Sequence, residues 1–238
     1  MQLRTALELN NEGRVFAYAL DHPGCFIPAA DESEALDFMV QAFIAYRYWV
    51  NLKAGQQSWL MDVIDIDIRL VETFTVYRIN NLFEPDPDGD YDVNAWFQDD
   101  WLPLNAGEVE RGLLLLQWSH KDLLDLIKSI PADKFSFRPD QESRTIQEIL
   151  RHIAVAENWY LDRLNLGLSR DQFHPEKVVD SLIVVRQQLM RVLPTLTNKS
   201  LVIGADGEFW SPRKLLRRAL YHEKDHIQHI NQILNALH

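Results

Sequence analysis

The period of the apolar residues changes along this chain, and that change decides what it can fold into. Over much of the first 80 residues apolar positions alternate with polar ones, the two-residue period of a strand. Beyond residue 105 they recur every three to four residues, the period of an amphipathic helix. At 238 residues, the chain reads as an α+β protein of two domains: a small sheet domain with an acidic linker over 1–103 and a helical domain over 104–238. Hydrophobic residues make up 47% and charged residues 25%, enough apolar surface to bury two cores and too much for disorder.

In the first half, residues 4–10 and 14–20 alternate on either side of Asn10-Asn11-Glu12-Gly13, which predicts a β-hairpin. A Pro23-Gly24 break follows. Ala35, Leu36, Met39, Phe43, Tyr46 and Val50 then recur at helical spacing, and Asp31 with Glu34 three residues later supplies an N-terminal cap. Over 63–79, Ile64, Ile66, Ile68 and Leu70 alternate with Asp65, Asp67 and Arg69, as in a strand exposed on one side. The expected order is β-β-α-β, a small antiparallel sheet carrying one helix. The stretch EPDPDGDYD (84–92) combines proline, glycine and acid, and reads as the linker or a turn. Its acids lack the full spacing of a calcium loop. Trp96, Phe97 and Trp101 just beyond it are expected to cement the domain boundary.

The run GRVFAYALDHPGCFIPAADESEALDFMVQAF resembles the HicB-type antitoxin core, in which a hairpin, a Pro-Gly-Cys turn and a Glu-Ala-containing helix follow one another. Gly13, Phe16, Ala17, Asp21, Pro23, Gly24, Cys25, Glu34 and Ala35 carry the likeness, His22 stands where an apolar residue is usual, and no DNA-binding appendage is evident. The resemblance implies a HicB-like fold for this domain more than a function.

The second half predicts four helices. The first, over 109–130, carries Leu113, Leu116, Leu123, Leu124 and Ile127 and ends before Pro131. The second opens on the capping box Thr145-Ile146-Gln147-Glu148 and runs to about Asn165. The third spans 176–192, and the fourth opens on Ser211 and Pro212 and runs to the chain end. Four helices with one apolar stripe each call for a bundle.

The sharpest chemical signal is Tyr221-His222-Glu223-Lys224-Asp225-His226 in the last of these helices. Residues four apart lie one turn above each other, so both imidazoles project from one face and can chelate one cation. A glutamate directly after the first histidine also occurs in metallopeptidases, but no third ligand of that kind follows. Such a pair alone is a weak signal, since surface helices contain it by chance and buried histidines are often simply hydrogen-bonded. His152 in LRHIAVAENWYLDRL, the Trp210-Ser211 helix entry, the run RKLLRRAL, the HEKDH pair and the closing Gln232-Ile233 together resemble the DinB-like superfamily over about 104–238. That resemblance implies a four-helix bundle in which His152, His222 and His226 converge on a divalent metal, zinc or nickel first among the ions imidazoles accept. It also implies a possible low-molecular-weight thiol as co-substrate, because members of the family transfer or isomerise substrates with one.

Three histidines leave a coordination position open, as catalytic sites do, and a metal there can acidify a bound water or thiol. No catalytic residue is identifiable. Glu157 and Glu223 read as solvated helix faces or as partners orienting an imidazole. His229, on the same stripe as His222, reads as solvent-facing, His120 as structural, and His22, His174 and His238 as surface groups.

Two functions compete: a metal-dependent thiol S-transferase or hydrolase acting on a small molecule, and a non-enzymatic regulatory protein whose HicB-like domain engages a protein partner. Whether the chain is an enzyme stays open at this point, and a homodimer is compatible with either. The net charge of −11 divides into −12 over 1–104 and +1 over 105–238, which disfavours nucleic acid as a partner. No apolar run approaches the roughly 20 residues that cross a bilayer, and no secretory signal opens the chain, so no membrane association and a cytoplasmic location are expected. The single cysteine, Cys25, excludes an intramolecular disulfide or a thiolate cage.

Overall fold

The computed structural model describes residues 1–63, 65–138 and 144–235. They form two compact units, Met1–Pro103 with Ser200–Lys214, and Leu104–Lys199 with Leu215–His238. Ile64 and His238 lie outside the described residues. Among the described residues no helix is long and apolar enough to cross a membrane.

The first unit is built on strands β1 (Gln2–Asn11), β2 (Arg14–Ala19) and β3 (Phe26–Ala29), helix α1 (Glu32–Ala54) and strand β4 (Asp67–Thr75). β1 and β2 form the expected hairpin. The order β-β-α-β is corrected to β-β-β-α-β, because a third short strand follows the Pro23-Gly24 turn. Pro28 is tolerated in it since β3 lies at the sheet edge, where a missing N–H breaks no ladder.

The strand order is β3-β2-β1-β4 and β4 runs parallel to β1, so the sheet is mixed, not antiparallel. The cause is α1. Its 23 residues span about 35 Å and return the chain to the far edge of the sheet, the crossover that parallel strands require. Asp31 caps the helix by accepting the Glu34 N–H, and Ala35, Met39, Phe43, Tyr46 and Val50 form its buried stripe. Ile66 and Ile68 are half-buried as their alternation predicts, but Leu70 is exposed. It sits at a bulge, where Val71 is an extra residue between the pairs Thr5–Leu70 and Ala6–Glu72.

Residues 84–92 fold back within this unit. Strand β5 (Arg78–Ile79) pairs with β6 (Tyr91–Asp92), and at Gly89 any Cβ would lie 2.3 Å from the Ile79 carbonyl oxygen, so only glycine fits. The large rings pack inside the unit too. Trp96 meets Phe74 at 4.7 Å and Phe209 at 5.5 Å, and Trp101 meets Phe209 at 5.9 Å. Phe209 belongs to a hairpin the sequence reading did not include, β7 (Ile203–Ala205) and β8 (Glu208–Trp210). Its signal was Asp206-Gly207, both at positive φ, the turn that suits the twist of paired strands.

The second unit contains α2 (Ala106–Ser129), α3 (Ile146–Asp162), α4 (Val178–Val192) and α5 (Pro212–Asn235) from Leu215 onward. Capping boxes start α2 at Asn105–Glu108 and α3 at Thr145–Glu148. Each helix buries an apolar stripe: Leu116 and Leu123 on α2, Ile149 and Ile153 on α3, Val185 and Leu189 on α4, Leu216 and Ile230 on α5.

A charged residue occupies the middle of those stripes. Arg186 of α4 is 2% exposed. Its Nε and Nη2 donate to the two oxygens of Glu157 on α3, at 2.8 and 2.6 Å, and its Nη1 donates to Glu223 on α5 at 3.0 Å and to the Leu116 carbonyl of α2 at 2.8 Å. All four helices therefore meet one guanidinium. The second oxygen of Glu223 lies 3.1 Å from Nδ1 of His120 on α2. Burial would lower the Arg186 pKa, but the two carboxylates outweigh it and hold the group firmly charged. Burial likewise pushes Glu223 up, and Arg186 and His120 more than reverse that.

Removing one member of a buried ion network leaves the others uncompensated, at a cost of about 3–5 kcal/mol. Arg186→Met is therefore expected to destabilise the second unit by that amount. The triple replacement Arg186→Met, Glu157→Gln, Glu223→Gln should recover part of the loss. Chemical unfolding of both variants checks this, and an Arg186→Met chain as stable as the parent would contradict it.

Candidate metal centre

The helix periodicity that buries the apolar stripes also aims the histidines. On α5, Ala219, Leu220, Glu223 and Ile230 are buried, and His222 and His226 stand one turn apart beside that stripe. His152 projects from the middle of α3. The three residues expected from the sequence come together: one ring nitrogen from each lies within 4.8 Å of those of the other two. Nε2 of His222 lies 3.1 Å from Nε2 of His152 and 3.1 Å from Nε2 of His226. The rings meet steeply, at 63° (His152–His222), 84° (His152–His226) and 90° (His222–His226).

Hydrogen bonding accounts poorly for this cluster. A neutral imidazole nitrogen is either donor or acceptor, so Nε2 of His222 cannot satisfy two facing Nε2 atoms in two directions. A cation can, because three lone pairs aimed at one point are a ligand set. Zn–N bonds of about 2.0–2.1 Å in tetrahedral geometry place ligand nitrogens roughly 3.3 Å apart, close to the two short separations seen.

The protonation state fits as well. Burial, then the neighbouring His226 and His152, and then Arg218 and Arg144, hold His222 well below the ordinary imidazole range. His226 is pushed down to about 3 by burial, then by His152, His229 and Arg144. Both rings are neutral at neutral pH, the form that binds metal.

The surroundings correct several expectations. Glu157 and Glu223 are not solvated; both are buried against Arg186. His229 is half-buried and its ring lies 6.1 Å from that of His226, so it is not a solvent-facing group, though it falls outside the convergent set. His22 packs on Phe43 at 5.0 Å and Tyr46 at 6.0 Å and is half-buried, whereas His174 is exposed beside Glu176. Tyr160 sets its ring edge on His222 at 5.8 Å, and the Arg218 guanidinium lies over Tyr221 at 4.8 Å. Nδ1 of His226 is buried with no hydrogen-bond partner among the described residues.

The sequence reading missed two features. One is Arg186, which sits in the apolar stripe of α4 between Leu182 and Leu189 and joins Glu157 to Glu223. The other is a cleft beside His152, lined by Arg144, Glu148, Arg151, His152 and Val155.

The neutral histidines carry a pH signature. Folding keeps them unprotonated while the unfolded chain takes up protons near pH 6.5, so stability is intact above that pH and drains as pH falls from 6.5 toward 3. The slope is about 1.4 kcal/mol per pH unit for each histidine. For metal-stripped protein we expect hydrogen exchange of α5 amides to report this loss between pH 6.5 and 5, with a shallower slope in His226→Gln. Equal slopes would contradict the assignment.

Residues 115–230 match the sequence profile of the DinB superfamily, a span that contains all three histidines and the whole Arg186 network. No curated protein and no solved structure matches the chain. The C-terminal part of this protein is DinB-like.

Proposed function

We propose that the C-terminal part is a DinB-type four-helix bundle holding one divalent ion, zinc or nickel, on His152, His222 and His226. On this reading it acts as a metal-dependent enzyme on a small molecule, by thiol S-transfer or hydrolysis, in the cytoplasm. The observation that carries the reading is the clustering of three histidine nitrogens from two helices within 4.8 Å, with Nε2 of His222 3.1 Å from Nε2 of both His152 and His226. The family profile over 115–230 supports it, because metal binding is common among DinB proteins. Such an ion supplies Lewis acidity to a bound water or thiol. The chain's own groups do the rest. Arg186 fixes the facing of α3 and α5 through Glu157 and Glu223, and Tyr160 packs against the His222 ring. The HicB-like identity of the first domain rests on its motif residues alone.

Full-length protein is expected to bind one equivalent of Zn²⁺. Replacing His152, His222 or His226 by alanine should weaken binding by about 100-fold or more, since even groups behind the ligands are worth 10- to 100-fold. Calorimetric titration measures this, followed by S-transfer assays across a panel of low-molecular-weight thiols. Unchanged metal affinity in His222→Ala would overturn the reading.

A second reading, a regulatory protein that engages a protein partner through its first unit, is favoured by one observation. Ile44, Tyr48 and Leu52, spaced by four on α1, are 45%, 71% and 68% exposed, an apolar stripe of the kind that marks interaction surfaces. It predicts that full-length bait captures a partner or self-associates and that Leu52→Glu abolishes this. Sedimentation as a monomer with nothing captured counts against it.

A further inference from the structure

Among the described residues the cleft beside His152 carries more basic than acidic groups. The buried carboxylates nearest in sequence, Glu157 and Glu223, are both engaged by Arg186. Arg144 and Arg218 both bear on His222 electrostatically, and Arg144 bears on His226. In the cleft beside His152, Arg144 and Arg151 are exposed, and neither makes an ion pair among the described residues. The one acid among the described residues lining the cleft, Glu148, is already used: it accepts the Thr145 N–H at 2.7 Å and Arg138 at 2.9 Å. A divalent ion on three neutral imidazoles would add two more positive charges with no carboxylate ligand to offset them. An open site of that sign selects for an anion.

We propose that the cleft lined by Arg144, Arg151 and His152 seats an anionic group of the substrate, a carboxylate or a phosphate, on its two guanidiniums. The seat lies directly beside the histidine cluster, so a molecule anchored there by its charged end presents its remainder to the three imidazoles. Guanidinium pairs with both anions through two parallel N–H donors, which fixes orientation as well as charge. Val155 adds an apolar wall. The substrate class is thus a small anion with a short apolar or reactive arm, not a neutral molecule. This inference rests on the proposed function in that the cleft shares His152 with the proposed metal site, but it does not rest on the metal, because the arginines line the cleft without it.

The test uses the full chain, with and without one equivalent of Zn²⁺. Succinate, inorganic phosphate and dimethyl succinate are titrated separately at low ionic strength, and chemical shifts of the α3 amides give the affinities. The expected result is saturable binding of succinate, phosphate or both, weakened about 10-fold in Arg144→Gln/Arg151→Gln. Arg170→Gln, an exposed arginine outside the cleft, should leave it unchanged, and the uncharged ester should not bind. Succinate preferred over phosphate identifies a carboxylate, and the reverse a phosphate. Anion affinity unchanged by the double replacement, or equal for the ester, overturns the inference. The metal reading fails separately, on absent zinc binding, while the titration without zinc still decides this one.

Discussion

The second unit depends on how one guanidinium is satisfied. A buried arginine must find acceptors for its donors or the unit loses several kcal/mol, and Arg186 finds them on three other helices at once. Apolar stripes can slide or rotate by part of a turn with little change in buried area. A fork of hydrogen bonds at 2.6 to 3.0 Å cannot. Glu223 stands about 100° around α5 from His222, and Glu157 is five residues beyond His152 on α3. Each helix therefore turns its glutamate toward Arg186 and a different face toward the histidine cluster. The ion network sets the rotation of both helices through contacts that include none of the three clustered imidazoles, and the convergence of His152 with His222 and His226 follows from it.

The same arrangement sets the electrostatics of the site. The buried carboxylates Glu157 and Glu223 are engaged by Arg186, and burial is the first cause that keeps His222 and His226 neutral. Neutral imidazoles facing a common point are poor neighbours for one another and good ligands for a cation. The three histidines and the arginines of the adjoining cleft all lie within residues 115–230, the span that matches the DinB profile.

Much of this was legible in the sequence, for definite reasons. The capping boxes at Thr145 and the Ser211-Pro212 entry mark helix starts because they answer orphan N–H groups locally. The four-residue spacing of His222 and His226 fixes their common face by geometry alone. That His152 would join them was not a local property; it came from the likeness of the whole segment. What the sequence did not disclose depends on packing at long range. The parallel addition of β4, the bulge at Val71 and the fold-back of residues 84–92 onto Arg78–Ile79 are set by pairing between distant strands. Arg186 was overlooked because a charged residue in an apolar stripe reads as an interruption until its two partners, 29 and 37 residues away, are seen beside it.

The account stands most directly on the identity of the atoms around a bound ion. X-ray absorption at the zinc edge of the loaded full-length protein measures this. Three imidazole nitrogens at about 2.0–2.1 Å with one lighter exchangeable ligand is the predicted shell, reduced to two imidazoles in His226→Gln. A shell dominated by carboxylate oxygens, or one indifferent to that substitution, would contradict the account.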